Sequence, residues 1–166
     1  MSSSRPPPAP PRPAPNPPNK HHRHLHRGYN IGVRIVDEYL AKTRAQAPAC
    51  ASFREAAEAV ARHALPLFLN VAAAVGAWSA DGSACSLALT DNPLADFVEL
   101  PEAYRKGGLS YCQLLAGCVR GALAQVGFCA DVRVARDALR DGGGVLELRL
   151  TLKETRDEAY PFRDDD

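Results

Sequence analysis

No run of apolar residues in this chain approaches the roughly 20 that a helix needs to cross a bilayer, so no spanning helix is expected. The first residues are proline-rich rather than apolar, and no secretory leader is expected either. Charge of one sign is also lacking: 20 lysines and arginines face 19 aspartates and glutamates. The imbalance that exists is local. Residues 1–27 hold Arg5, Arg12, Lys20, Arg23 and Arg27 and no acid, which leaves the remainder near −4. A mildly acidic globular part gives no reason to expect nucleic acid as a partner. Paired cysteines are missing as well. Cys50, Cys85, Cys112, Cys118 and Cys129 are odd in number and show no C-x-x-C spacing, which argues against a disulfide framework and against a zinc site. Such thiols suit a reducing compartment, so the chain is expected in the cytosol or on the cytosolic face of a membrane. No phosphate-cradling loop is expected, because the glycine run at 142–144 leads into a strand pattern rather than a helix N-terminus.

What is present begins with nine prolines in residues 1–19, followed by H-H-R-H-L-H-R at 21–27. Such a segment buries too little to offset its ordering entropy, so residues 1–27 are expected to be a disordered, Pro/His-rich tail. Its histidines have no partner cluster to complete a metal site. From Tyr29 the pattern turns helical, with Ile31, Ile35 and Tyr39 recurring every four residues as one apolar face. Ser52 and Glu55 form a capping box that opens a second helix. Its buried stripe is expected to be Phe53, Ala56, Ala57, Val60, Ala64, Leu67 and Phe68, with a bend or an early stop at Pro66. Asp81-Gly82 marks a hairpin, followed by the alternation of Cys85, Leu87 and Leu89. Phe97, Val98 and Leu100 lie between Pro93 and Pro101 and are expected to dock on the core or on a partner. Ser110 and Gln113 read as a third helix start, and Gly117 with Gly121 as a bare side for tight helix–sheet packing. Finally, Val132 and Val134, then Leu146, Leu148, Leu150 and Leu152, alternate with polar residues. Period two with one apolar face means half-covered antiparallel strands. The fold class is therefore α+β, two-layer, with helices packed on one face of a four-stranded antiparallel twisted sheet. Residues 28–155 form the domain and 156–166 an acidic C-terminal tail.

No catalytic constellation is legible. His63 could act as a base toward a cysteine, but no Asn or Asp is placed by sequence to orient it, and a partly exposed helical histidine is the plainer reading. Cys50 lies just ahead of the second helix, where exposed N–H groups favour a thiolate; it also reads as an inert buried thiol. The residues alone leave both open.

The order of blocks is more specific. D-N-P-L-A-D-F-V-E-L-P at 91–101 is followed by L-S-Y-C-Q-L-L-A-G-C-V-R-G-A-L at 109–123, with Y-N-I-G-V-R at 29–34, F-R-E at 53–55 and Trp78 ahead of them. This series resembles the small core subunits of the TRAPP vesicle-tethering complex, subunit 3 subfamily, over about three quarters of the chain, with the Pro/His-rich N-terminus standing where that family has its first helix. The resemblance implies the same α+β fold and a non-catalytic subunit. Such a subunit pairs through helical faces with other small TRAPP subunits. It belongs to an assembly that tethers ER-derived vesicles at the cis-Golgi and acts as exchange factor for a Rab-type GTPase. It further implies S-palmitoylation of Cys50, three residues ahead of the F-R-E block, with the acyl chain in an apolar channel of the same domain; where the family has a basic residue before that cysteine, this chain has Ala49. No other cofactor, no metal and only peripheral membrane association are expected. The alternative is a stand-alone fatty-acid or small-ligand-binding domain. A remoter option is a cysteine enzyme using Cys50 and His63.

Overall fold

A computed structural model describes residues 20–43, 50–99, 101–102, 110–142 and 144–156, with side chains from residue 23 onward except that of Ala138. Helix α1 (Lys20–Thr43) opens the described chain. Helix α2 (Phe53–Ala59) runs on through a π-helical turn (Val60–Ala64) into α3 (Leu65–Leu69). Strands β1 (Ala74–Gly76) and β2 (Ala84–Leu89) follow, then α4 (Gln113–Gln125), β3 (Phe128–Arg136), the short α5 (Ala138–Asp141) and β4 (Leu146–Thr155). The sheet is antiparallel throughout, in the order β1-β2-β4-β3. Register sets Cys85, Leu87 and Leu89 of β2 opposite Leu150, Leu148 and Leu146 of β4, all at most 1% exposed. Their period-two spacing puts them on one face, and there they meet Phe53, Ala57, Ala61, Ala116 and Leu123 of the helices. The expected fold class is what the structure has.

Helix α1 corrects the tail boundary. It begins at Lys20, inside the segment read as a disordered tail, and Leu25 packs against the core. The signal was a second helical stripe, Leu25, Gly28, Gly32 and Val36, one position off the stripe taken as buried. Gly28 and Gly32 are buried and Val36 is 7% exposed, whereas Ile31 is 45% exposed and Ile35 and Tyr39 are half-buried. Of the acidic tail only Arg156 is described: its N–H donates to the Gly127 carbonyl at 2.7 Å.

The glycines at 117 and 121 serve a helix–helix contact, not the helix–sheet packing expected. A Cβ on Gly117 would run into the Leu25 carbonyl oxygen, and one on Gly121 into that of Tyr29. Reciprocally, a Cβ on Gly28 would lie 2.9 Å from the Gly117 Cα, and one on Gly32 2.9 Å from the Ala122 nitrogen. Four glycines therefore let two backbones touch where any side chain would part them.

Pro66 neither stops nor sharply ends its helix. The preceding turn widens to the π pattern, with the Leu65 N–H donating to the Val60 carbonyl. The next acceptor in that pattern is the Ala61 carbonyl, for which proline has no N–H. The Ala73 N–H takes it at 3.1 Å, so the orphaned acceptor ties the approach to β1 onto the helix. The extra residue in the turn also shifts the buried phase: Ala61 and Leu65 are buried, while Leu67, expected inside, is 40% exposed.

Candidate functional site

An apolar cavity of about 600 Å³ lies between α1, the α2–α3 helix and α4, within the range of ligand pockets. Ile35 and Tyr39 line it from α1, Val60 and Phe68 from the α2–α3 helix, and Cys118 and Val119 from α4. Ala56, Ala59, Ala64 and Ala122 stand on its walls, where larger side chains would close the space. The glycine contact draws α1 toward α4 along one edge only, and the α1 residues one position round the helix are left to face the opening. Ile31 and Leu40, both on the cavity wall, are 45% and 50% exposed, so the cavity opens along the outer side of α1.

Cys50 stands on this wall, half-buried and packed against the core. The capping box forms with a shift of one residue. Ser52 Oγ accepts from the Glu55 N–H at 3.3 Å, while Glu55 Oε2 accepts from the Ala51 N–H at 2.7 Å rather than from the cap residue's own amide. The Glu55 carboxylate is thereby held beside Cys50. Burial first, and the Glu55 charge second, push the Cys50 thiol up. This reverses the expectation of a thiolate favoured by the helix start: Cys50 sits outside the cap, and an acid occupies the position where the helix dipole would act. Tyr39 is likewise pushed up, by burial and then by Cys50. His63 is exposed on the π turn and lines no part of the cavity, so the structure does not bring it to Cys50.

Three further thiols are held protonated by burial. Cys85 is pushed up to about 11, Cys118 to about 11 and Cys112 to about 12, the last aided by Asp137. Asp137, wholly buried, is a residue the sequence reading missed. Its carboxylate accepts from the Ser110 hydroxyl at 2.6 Å, the Leu139 N–H at 3.1 Å and the Cys112 thiol at 3.6 Å. Ser110 therefore does not cap α4 as its spacing predicted; Cys112 holds the cap position without a side-chain bond. A hollow of about 410 Å³ beside this network is bordered by Asp137 and Asp141, but Arg140 and the Asp137 N–H already occupy the Asp141 carboxylate. Phe97 does not dock on the core: it is 96% exposed, and its neighbour Leu100 lies outside the described residues. Among the described residues no group of His, Cys, Asp and Glu could hold a metal ion, and no helix is long and apolar enough to cross a membrane.

A two-layer α+β domain with a ligand-sized apolar cavity inside its helix layer is the class that this geometry defines. The family model of the transport protein particle (TRAPP) component matches residues 19–150. The chain belongs to that family. It is 43% identical over 138 residues to the transport protein particle subunit bet3 of Schizosaccharomyces pombe, covering 83% of this chain and 73% of that one. It is 39% identical over 134 residues to the trafficking protein particle complex subunit 3 of Dictyostelium discoideum, covering 81% and 70%. A crystal structure of subunit 3 from Naegleria fowleri, covalently bound to palmitic acid, superposes with a TM-score of 0.78 at 34% identity, over 84% of this chain and 83% of that one.

Proposed function

We propose that this chain is a non-catalytic core subunit of a TRAPP-type vesicle-tethering complex in ER-to-Golgi transport, and that its cavity holds a palmitoyl chain as a thioester on Cys50. The observation that carries the reading is the cavity itself, ligand-sized and apolar, with Cys50 on its wall. The palmitate-bound relative lends this support. Burying about 15 methylenes at roughly 0.8 kcal/mol each offers about 12 kcal/mol before strain and ordering are subtracted, so the chain acts as added core rather than as a membrane anchor. The exposed Ile31, Leu40 and Leu67 give the helix layer apolar surface for pairing with other small TRAPP subunits. Through that assembly the subunit contributes to a Rab GTPase exchange factor, peripherally bound at the cytosolic face of the cis-Golgi and ER.

The test is intact mass of protein from a eukaryotic host, before and after neutral hydroxylamine, beside Cys50→Ser. A hydroxylamine-sensitive palmitoyl increment that the substitution abolishes is the expected result. Fatty acid that co-purifies with both forms without a covalent increment, together with no binding to other small TRAPP subunits, would favour the stand-alone ligand-binding domain.

A further inference from the structure

Glu55 reaches the Cys50 segment from the helix, its carboxylate accepting from the Ala51 N–H at 2.7 Å. A capping box needs an acceptor at that position, but glutamine serves as well as glutamate. Glutamate adds a fixed negative charge next to a thiol whose acylation begins with a thiolate, the attacking form. The elements that wall the cavity carry other titratable or charged groups. From α1 come Tyr39, and Glu38 paired with Lys42 at 3.1 Å, with Lys42 Nζ also 5.7 Å from the Phe68 ring centroid. From α4 comes Cys118, held protonated by burial. Arg54, next to Glu55 in sequence, turns the other way: its guanidinium lies 4.0 Å over the Trp78 ring. The cation next to Glu55 thus lies over an aromatic ring, while the Glu55 charge acts on Cys50.

We propose that Glu55 governs the rate of acyl transfer to Cys50, its carboxylate opposing the attacking thiolate while its hydrogen bond to Ala51 fixes the cysteine segment at the cavity. This rests on the reading of Cys50 as the acylated residue. The step is a thioester exchange: Cys50 gives up its proton to solvent, and its sulfur attacks the carbonyl carbon of an acyl-CoA. The bond from that carbon to the CoA sulfur breaks, and CoA leaves as a thiol after taking up a proton. Glu55 is a positioning and charge-setting residue that does not touch the reacting carbon.

The experiment uses the full chain in three forms, wild type, Glu55→Gln and Glu55→Ala. Carbamidomethylation of Cys50 by iodoacetamide is followed by peptide mass across about pH 6 to 10, and acylation by palmitoyl-CoA by intact mass. Iodoacetamide is neutral, so its own charge does not enter. Glu55→Gln is expected to alkylate roughly two- to fivefold faster on the rising limb, the size of one partly exposed charge pair, with the profile displaced to lower pH and the high-pH plateau unchanged. Its acylation should rise in the same proportion. Glu55→Ala should show the same displacement and also raise the plateau, because the charge and the Ala51 tether are lost together. A Glu55→Gln profile that overlays wild type overturns the proposal. If no variant or wild type forms a thioester while the alkylation profile still shifts, the acylation reading fails and the electrostatic role of Glu55 stands.

Discussion

Replacing Gly32 by alanine tests whether backbone contact between α1 and α4 is what holds the helix layer together. Alanine in a helix interior gains about 1 kcal/mol over glycine from backbone entropy alone. Against this stands the new methyl group. It would collide with the Cys118 carbonyl oxygen and lie 2.8 Å from the Cys118 carbonyl carbon and 2.9 Å from the Ala122 nitrogen. All three are backbone atoms, so no rotamer change relieves the clash and the two helices must part. Overpacking of this kind costs about 3 kcal/mol at the upper end of its range, and the net loss is about 2 kcal/mol. For a domain of this size that lowers the midpoint by roughly 6 to 10 °C. Gly76→Ala is the control, since nothing stands within 4 Å of its Cβ position; it should move stability by less than about 0.5 kcal/mol. Circular dichroism melts of both read the outcome. Adding Gly121→Ala to Gly32→Ala should cost less than the sum of the two, because helices already parted have room for a second methyl. A Gly32→Ala chain that melts at or above wild type would refute the close contact.

Other outcomes follow from the thiols and the buried carboxylate. Asp137→Ala should cost about 3 kcal/mol in urea unfolding, because Ser110, Leu139 and Cys112 donors lose a buried acceptor together; Asp137→Asn, which keeps an acceptor oxygen, should recover part of it, and equal losses would sink the network. Cys85, Cys112 and Cys118 ionise near 9.0 when unfolded but at about 11, 12 and 11 in the fold. The folded chain then keeps protons that the unfolded chain releases, so stability should fall as pH rises above about 9 and go on falling to about 12. Melting midpoints that are flat between about pH 8 and 10 contradict that sign.

The strands were legible because their signal is local. Leu146, Leu148 and Leu150 alternate with charged or polar neighbours, and a period of two has one structural reading whatever packs against it. The same holds for the turn at Asp81-Gly82, where Gly82 takes a positive φ of 70°, and for the start of α2 at Ser52. Block order along the chain carried the family, and through it Cys50 was singled out before any cavity was in view. Helix faces were harder. The stripe of Ile31, Ile35 and Tyr39 and the stripe of Gly28, Gly32 and Val36 fit the same period, and hydrophobicity favoured the wrong one. Glycine is buried on α1 because another backbone lies against it, a fact that belongs to α4 more than eighty residues away. The π turn, its displaced stripe and the Ala61 to Ala73 bond depend on what the fold does with one missing N–H. The Ser110–Asp137 pair joins residues 27 apart, for which no local spacing exists. Sequence alone thus determined the strands, the helix start and the family. Only the tertiary structure decided which faces meet, where the alanines leave a cavity, and that Cys50 stands on its wall beside an acid, since these are contacts between segments rather than properties of any one of them.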